Sequence, residues 1–236
     1  SRKNLKATLF FVGWIAERYP ELVKTAVNEG HEIGSHGYYH IMLHKFNSRE
    51  DFREDLRSSI SILKSLSGQS VVGFRAPTFS VIRQTMWALP IMFEEGIRYD
   101  SSVFPIYHDR YGVPDAPRKP YMIYQNQEDG ILEYPMSTVQ LASINIPFSG
   151  GGYFRVYPLK LSIKLMERCQ KEGLPVIFYA HPWEFDQNLP EVRLGIVDQL
   201  RHSFGINSIL KRMDIITEMF PFTSFRDANL MLQKVN

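Results

Sequence analysis

Two histidines four residues apart, His36 and His40, follow directly on a short apolar run, His31–Ser35. On a helical turn that spacing brings two imidazoles within reach of one ion. Two His and a carboxylate suit zinc and leave a position open for water. The same pair also fits polar loop histidines that bind nothing. His31 and His44 flank them, with surroundings that read as strand entry and exposed helix start, so they take structural roles. His181 suits a general acid, because imidazole exchanges a proton near neutral pH. Asp100 is the carboxylate that its strand-end placement offers as an orienting partner. Outside a site, Asp100 before Ser101-Ser102 would be a turn or cap aspartate, and His181 a hydrogen-bonded histidine after a core strand. Arg75 fits either a catalytic carboxylate and substrate oxygens or a salt bridge at a sheet rim.

Aromatic residues gather near these groups: Tyr38, Tyr39, Phe79, Tyr153, Phe154 and Trp183. Sugar rings stack on such faces, and Trp183 and Tyr153 are the groove candidates, although most aromatics in any chain pack the core. Gly150-Gly151-Gly152 lacks the Lys-Ser/Thr of a phosphate loop and reads as a tight loop.

The elements that must position these groups alternate. Apolar runs at Ala7–Val12, His31–Ser35, Val71–Phe74, Ile97–Tyr99, Ile131–Tyr134 and Val176–Ala180 read as strands, with Phe222–Phe225 a further candidate. Helical stretches end in Glu29-Gly30, Glu95-Gly96 and Glu172-Gly173, where glycine takes the left-handed conformation. Ser48 and Asp51 form a capping box ahead of Phe52, Leu56, Ile60, Leu63 and Leu66 at helical spacing. Pro158 opens a helix whose apolar face would be Leu161, Leu165 and Cys169, and Pro90 should kink or restart Gln84–Glu95. Strands alternating with helices imply a parallel sheet. Four of these strands each deliver an ionisable group at the C-terminal end, where such folds build active sites. Residues 104–157, rich in Pro, Gly and Tyr, break the rhythm and read as an insertion over the active-site face.

Composition narrows the classes. A chain of 236 residues with 44% hydrophobic residues holds one large core, read as a single domain over 1–236. A net charge of +2 without a basic block points to no nucleic acid, and no apolar run spans a membrane. Cys169 is the only cysteine, which rules out an intramolecular disulfide and leaves the redox compartment open. Ser1-Arg2-Lys3-Asn4 shows neither an initiator methionine nor a signal pattern, so Ser1 reads as an interior position of a longer protein or a trimmed edge. Bacterial cytoplasm and cell envelope both remain open.

Taken together, Ala7–Val12, Gly30–His40, Phe74–Ser80, Tyr99–Pro105, Gly150–Arg155 and Phe178–Glu184 resemble the polysaccharide deacetylases, the esterases with the nodulation-deacetylase homology domain. The similarity runs over essentially the whole chain and is nearest to the branch associated with exopolysaccharide and exosortase gene clusters. The resemblance implies a distorted (β/α) barrel with fewer than eight regular strands. It implies a divalent metal, most often zinc, held by one Asp and two His, here His36 and His40. Gly37 stands where many members have Ser or Thr. Arg75 matches the arginine that contacts the catalytic base. Asp100 and His181 match the carboxylate–acid pair, and the backbone near Thr78 matches the oxyanion donor. Thr78, Phe79, Tyr153 and Trp183 are the expected substrate contacts, and N-acetylated polysaccharide or oligosaccharide the expected partner. The family places an acidic motif on a strand ahead of the first one seen here. The expectation is therefore a domain lacking its first strand, with the base and third ligand missing, inactive alone. Hydrolysis of a small cyclic amide or imide, and sugar binding without turnover, are the competing readings.

Overall fold

The computed structural model of the chain describes residues 5–186 and 204–233. They fall into two compact units, one reaching to Pro135 and resuming at Phe222, the other Met136–Pro221.

The first unit is built on a six-stranded sheet. Its strands are β1 (Thr8–Phe11), β2 (Glu32–Ser35), β3 (Gly73–Phe74), β4 (Tyr99–Asp100), β5 (Tyr121–Asn126) and β6 (Asp129–Glu133). The spatial order is β1-β2-β3-β4-β6-β5, parallel throughout except where β5 and β6 form an antiparallel hairpin. Helices α1 (Gly13–Arg18), α2 (Pro20–Asn28), α3 (Arg49–Ser67) and α4 (Ala88–Glu94) make the crossovers. This is the expected α/β class with fewer than eight regular strands. No closed ring of strands forms among the described residues, in keeping with a distorted (β/α) barrel.

Local signals account for most boundaries. The capping box holds: Ser48 Oγ accepts from Asp51 N at 3.0 Å and Asp51 answers Ser48 N at 3.2 Å. Gly30, Gly96 and Gly173 all have left-handed φ just past a helix end. Pro90 falls in the first turn of α4, where its missing N–H costs no helical bond, so the helix restarts at Ala88. Phe52, Leu56 and Leu63 bury one face of α3 against Phe74, Leu43 and Val71 in two apolar clusters. At Gly73 a side chain would collide with the Tyr99 ring, a Cβ landing 2.1 Å from it.

The second unit carries the hairpin β7 (Thr138–Leu141) and β8 (Ile144–Pro147), then α5 (Gly151–Val156), α6 (Leu159–Lys171) and α7 (Ile209–Met219). Four expectations change. Val176–Ala180 forms no strand beyond a single bridge from Tyr179 to Gly150. Serine side chains occupy its backbone instead: Ile177 N donates to Ser137 Oγ at 2.7 Å, and Ser149 Oγ donates to Ile177 O at 2.7 Å. The buried face of α6 is Ser162, Met166 and Cys169; Cys169 stands as expected, but Ser162 and Met166 take the places of Leu161 and Leu165, and Leu161 is exposed. Pro158 is the residue before that helix, not its first. Phe222–Phe225, back in the first unit, is no strand. Phe225 opens helix α8 (Phe225–Gln233), its N–H taken by Thr8 Oγ1 at 2.8 Å.

Candidate active site

The loop His36–His40 leaves β2 and is fixed from both sides. Its carbonyls cap the start of α1: Gly13 N donates to Gly37 O at 2.9 Å and Trp14 N to Tyr38 O at 3.0 Å. Its amides are gathered by one carboxylate of α3, with Tyr38 N donating to Asp55 Oδ2 at 2.7 Å and Tyr39 N to Asp55 Oδ1 at 3.0 Å. Gly37 has φ +74, and a Cβ there would stand 3.0 Å from Asp55 Oδ2. Glycine thus lets the carboxylate close on the loop. His40 also adopts a left-handed φ of 58°, unusual for a residue with a Cβ.

These constraints bring the two imidazoles together, ring centroids 4.8 Å apart and planes at 67°. His36 Nδ1 lies 2.6 Å from the Arg75 carbonyl oxygen. A carbonyl only accepts, so the proton sits on Nδ1 and the lone pair on Nε2. A backbone carbonyl on the second nitrogen is the usual companion of a metal-binding histidine. The donor chemistry therefore fits a borderline divalent ion such as zinc through two nitrogens. Among the described residues no group of three His, Cys, Asp or Glu side chains comes together.

Arg75 ties the neighbouring strand ends. Its Nε donates to Ser101 O at 2.8 Å and its Nη2 to Ser101 Oγ at 2.7 Å, while the guanidinium lies 4.6 Å from the Phe10 ring centroid. Thr78 and Phe79 follow with φ of 56° and 52°. Two successive side-chain-bearing residues in the left-handed region are strained, and such strain gathers at functional loops. Phe79 itself is buried against Phe104 and Tyr111, so its ring packs within the unit. Asp100 is fully buried at the end of β4, where Ser102 Oγ donates to its Oδ1 at 2.5 Å. Burial pushes its carboxyl up to about 6, with Glu133, Ser102 and Arg75 pulling the other way.

In the second unit His181 is half exposed and stacks on Trp183 at 5.9 Å and 20°. Its carboxylate neighbour there is Glu184, 3.5 Å from Nδ1, which also accepts from the His181 amide at 2.8 Å. Glu184 is buried and ion-paired to buried Arg155 at 2.8 Å. Burial works to raise the Glu184 carboxyl, but His181 and Arg155 outweigh it, leaving it below its ordinary value. Arg155 also lies 5.0 Å from the Trp183 ring centroid and donates to Phe204 O at 2.8 Å. Tyr153 is half-buried near Tyr157.

Residues 101–229 match the family model described as "Domain of unknown function (DUF3473)", more than half of the chain. Residues 1–90 match the model described as "Polysaccharide deacetylase". The chain belongs to the DUF3473 family, and its N-terminal part is similar to the polysaccharide deacetylases. A peptidoglycan-N-acetylglucosamine deacetylase of Bacillus cereus is 38% identical over 86 residues, 36% of this chain and 31% of the relative. The chain thus spans about a third of the length of the curated relatives it matches. A solved structure named a probable polysaccharide deacetylase, from Pseudomonas aeruginosa, is 28% identical with a TM-score of 0.52, covering 76% of this chain and 56% of that one. The PuuE allantoinase structure, 20% identical with a TM-score of 0.59 over 95% of this chain and 66% of that one, shares the fold alone. No helix among the described residues of this DUF3473 member is long and apolar enough to cross a membrane.

Sequence reasoning overlooked Asp55, Glu133 and Arg155. Asp55 had a signal: an acid between Phe52 and Leu56 on the buried stripe of α3, where an unpaired carboxylate is costly. Glu133 ends its apolar strand as Asp100 ends its own, and the same strand-end rule would have found it. Arg155 stands on the first turns after a glycine run and gave no comparable signal.

Proposed function

We propose that this chain carries part of the active site of a metal-dependent hydrolase that removes N-acetyl groups from a polysaccharide. The observation that carries the reading is the His36–His40 pair, held by Asp55 and the Arg75 carbonyl with the His36 lone pair on Nε2. It lies within residues 1–90, which match the deacetylase model, and a similar Bacillus cereus protein is a peptidoglycan-N-acetylglucosamine deacetylase. His36 and His40 would hold the ion. When bound, a divalent ion supplies Lewis-acid polarisation of the amide carbonyl and lowers the pKa of water.

The remaining roles fall to the chain's own groups. The strained Thr78 backbone is assigned to the developing oxyanion. Arg75, fixed on Ser101, is assigned to the catalytic base, as the family resemblance implies, as a permanent positive charge. His181 donates a proton to the leaving amine, and Asp100 is assigned to tune it, as the family resemblance implies. Trp183 and Tyr153 are assigned to sugar rings. An N-acetylated exopolysaccharide is the substrate class proposed.

Two measurements test this. Zinc titrated by calorimetry should bind the parent and not the His36→Ala/His40→Ala double variant. The intact protein with zinc should release acetate from N-acetylated hexosamine oligosaccharides, and the double variant should not. Equal zinc binding by both proteins, or acetate release independent of both histidines, removes the assignment. A double-mutant cycle of His181→Ala and Asp100→Asn tests that pairing: two groups acting as a unit lose less together than the product of the single losses.

A further inference from the structure

At the floor of the first unit two acids meet with no base between them. Asp100 and Glu133 are register partners at the ends of the parallel strands β4 and β6. Both are 0% exposed. Each has one satisfied oxygen. Asp100 Oδ1 accepts from Ser102 Oγ, and Glu133 Oε1 accepts from Ser102 N at 3.2 Å and Val103 N at 2.8 Å. Each also has one buried oxygen without a hydrogen-bond donor, Asp100 Oδ2 and Glu133 Oε2. Neighbours across adjacent strands, the two carboxyls both hold Ser102, one by its hydroxyl and the other by its amide.

Two carboxylates cannot donate to each other, and two like charges in a dry interior repel strongly. A buried polar atom without a partner needs an explanation. One proton supplies it, since a carboxyl O–H on either oxygen satisfies both at once and removes the repulsion. We propose that Asp100 and Glu133 form a buried acid pair that shares one proton at neutral pH, with Glu133 the positioning residue that donates it to Asp100.

The direction follows from the surroundings. Arg75, on the strand beside β4, favours the charged form of Asp100. For Glu133 the largest influences are burial and Asp100, with the amides of Val103 and Ser102 opposing them. Its neighbours are Asp100 and Tyr121, its register partner on β5, whose hydroxyl is itself pushed up by burial and by the two acids. Burial, then Asp100, raises the Glu133 carboxyl well above the carboxylate range. Glu133 therefore keeps the proton and Asp100 the charge. Asp100 is in this way held in one rotamer by Ser102 on one oxygen and Glu133 on the other. What the pair does for turnover rests on the role proposed above for Asp100; the proton itself does not.

The test is the pH dependence of unfolding of the full chain and of Glu133→Gln. Glutamine keeps the shape and offers an N–H to Asp100 in place of the O–H. Both acids have folded pKa values above their unfolded ones, so their contribution is complete at acid pH and is lost as pH rises. Between pH 6 and 8 the folded parent holds one proton that the unfolded chain releases. Its unfolding constant should then rise by about tenfold per pH unit relative to that of Glu133→Gln. Parallel curves for the two proteins would overturn the proposal, and a relative slope of opposite sign would indicate two ionised acids bridged by a cation. If Glu133→Gln does not fold, infrared spectra of the parent decide. A protonated-carboxyl stretch at neutral pH that shifts in D2O supports the pair, and its absence refutes it. In the active enzyme, Glu133→Gln should also move the pH–rate profile. A shared proton with an unmoved profile would sink the role given to Asp100 and leave the pair standing.

Discussion

Replacing Asp55 by alanine tests whether one buried carboxylate shapes the histidine loop. Asp55 is 7% exposed and accepts the amides of Tyr38 and Tyr39 at 2.7 and 3.0 Å, the two residues midway between His36 and His40. Hydrogen bonds to a charged group contribute about 1.5–3 kcal/mol each, a gross of about 3–6 kcal/mol for the two. Two effects reduce it. Burial pushes the Asp55 carboxyl up in spite of both donors, so part of the gross is already spent on desolvation. The Tyr39 side chain is 65% exposed, so water can reach its amide once the carboxylate is gone. The net loss expected for Asp55→Ala is about 2–4 kcal/mol, read as a lower urea midpoint with an unchanged slope. Asp55→Asn keeps one acceptor but turns an NH2 against the other amide, and should lose about half as much. Because the same two bonds hold the loop between the histidines, zinc affinity should fall by about 10- to 100-fold in Asp55→Ala. A midpoint within about 0.5 kcal/mol of the parent together with unchanged zinc affinity would refute the reasoning, since surface substitutions alone stay in that range.

Three further outcomes are expected. Glu184→Gln removes one charge of the buried Arg155–Glu184 pair and should cost about 3–5 kcal/mol by chemical denaturation. Because the folded pKa of Glu184 is lowered, its contribution is present above pH ~4.5 and lost as pH falls through the folded value, so the two unfolding curves should converge on acidification. Ser48→Ala removes one half of the capping box at the start of α3 and should cost about 1 kcal/mol in urea unfolding, with no change in zinc binding. Gly150→Ala should fail to give soluble folded protein at ordinary temperature, because its φ of +107 disfavours any side chain and the new Cβ would stand 2.1 Å from Tyr179 O. Normal expression with the parent's circular dichroism would count against that packing.

The sequence by itself determined the order of the elements and much of their chemistry. Ser48 and Asp51 announced α3, the Glu-Gly pairs announced three helix ends, and Pro90 announced a restart, because each acts within one turn of itself. Strand-end placement singled out His36, Arg75 and Asp100, which do follow β2, β3 and β4, whereas His181 follows a segment that forms no strand. Where sequence reasoning missed, the missing information was nonlocal. Val176–Ala180 is apolar enough for a strand, but Ser137 and Ser149, 28 to 40 residues away, take its backbone groups. On α6 Cys169 is buried as expected, but Ser162 and Met166 are buried in place of Leu161 and Leu165, a choice between two adjacent stripes that periodicity alone does not make. Only the tertiary structure could pair Asp55 with the amides of Tyr38 and Tyr39, Arg155 with Glu184, and Asp100 with Glu133. Each pairing depends on a crossover or a register, and a slip of one residue in β4 or β6 would turn Asp100 or Glu133 to the opposite face of the sheet.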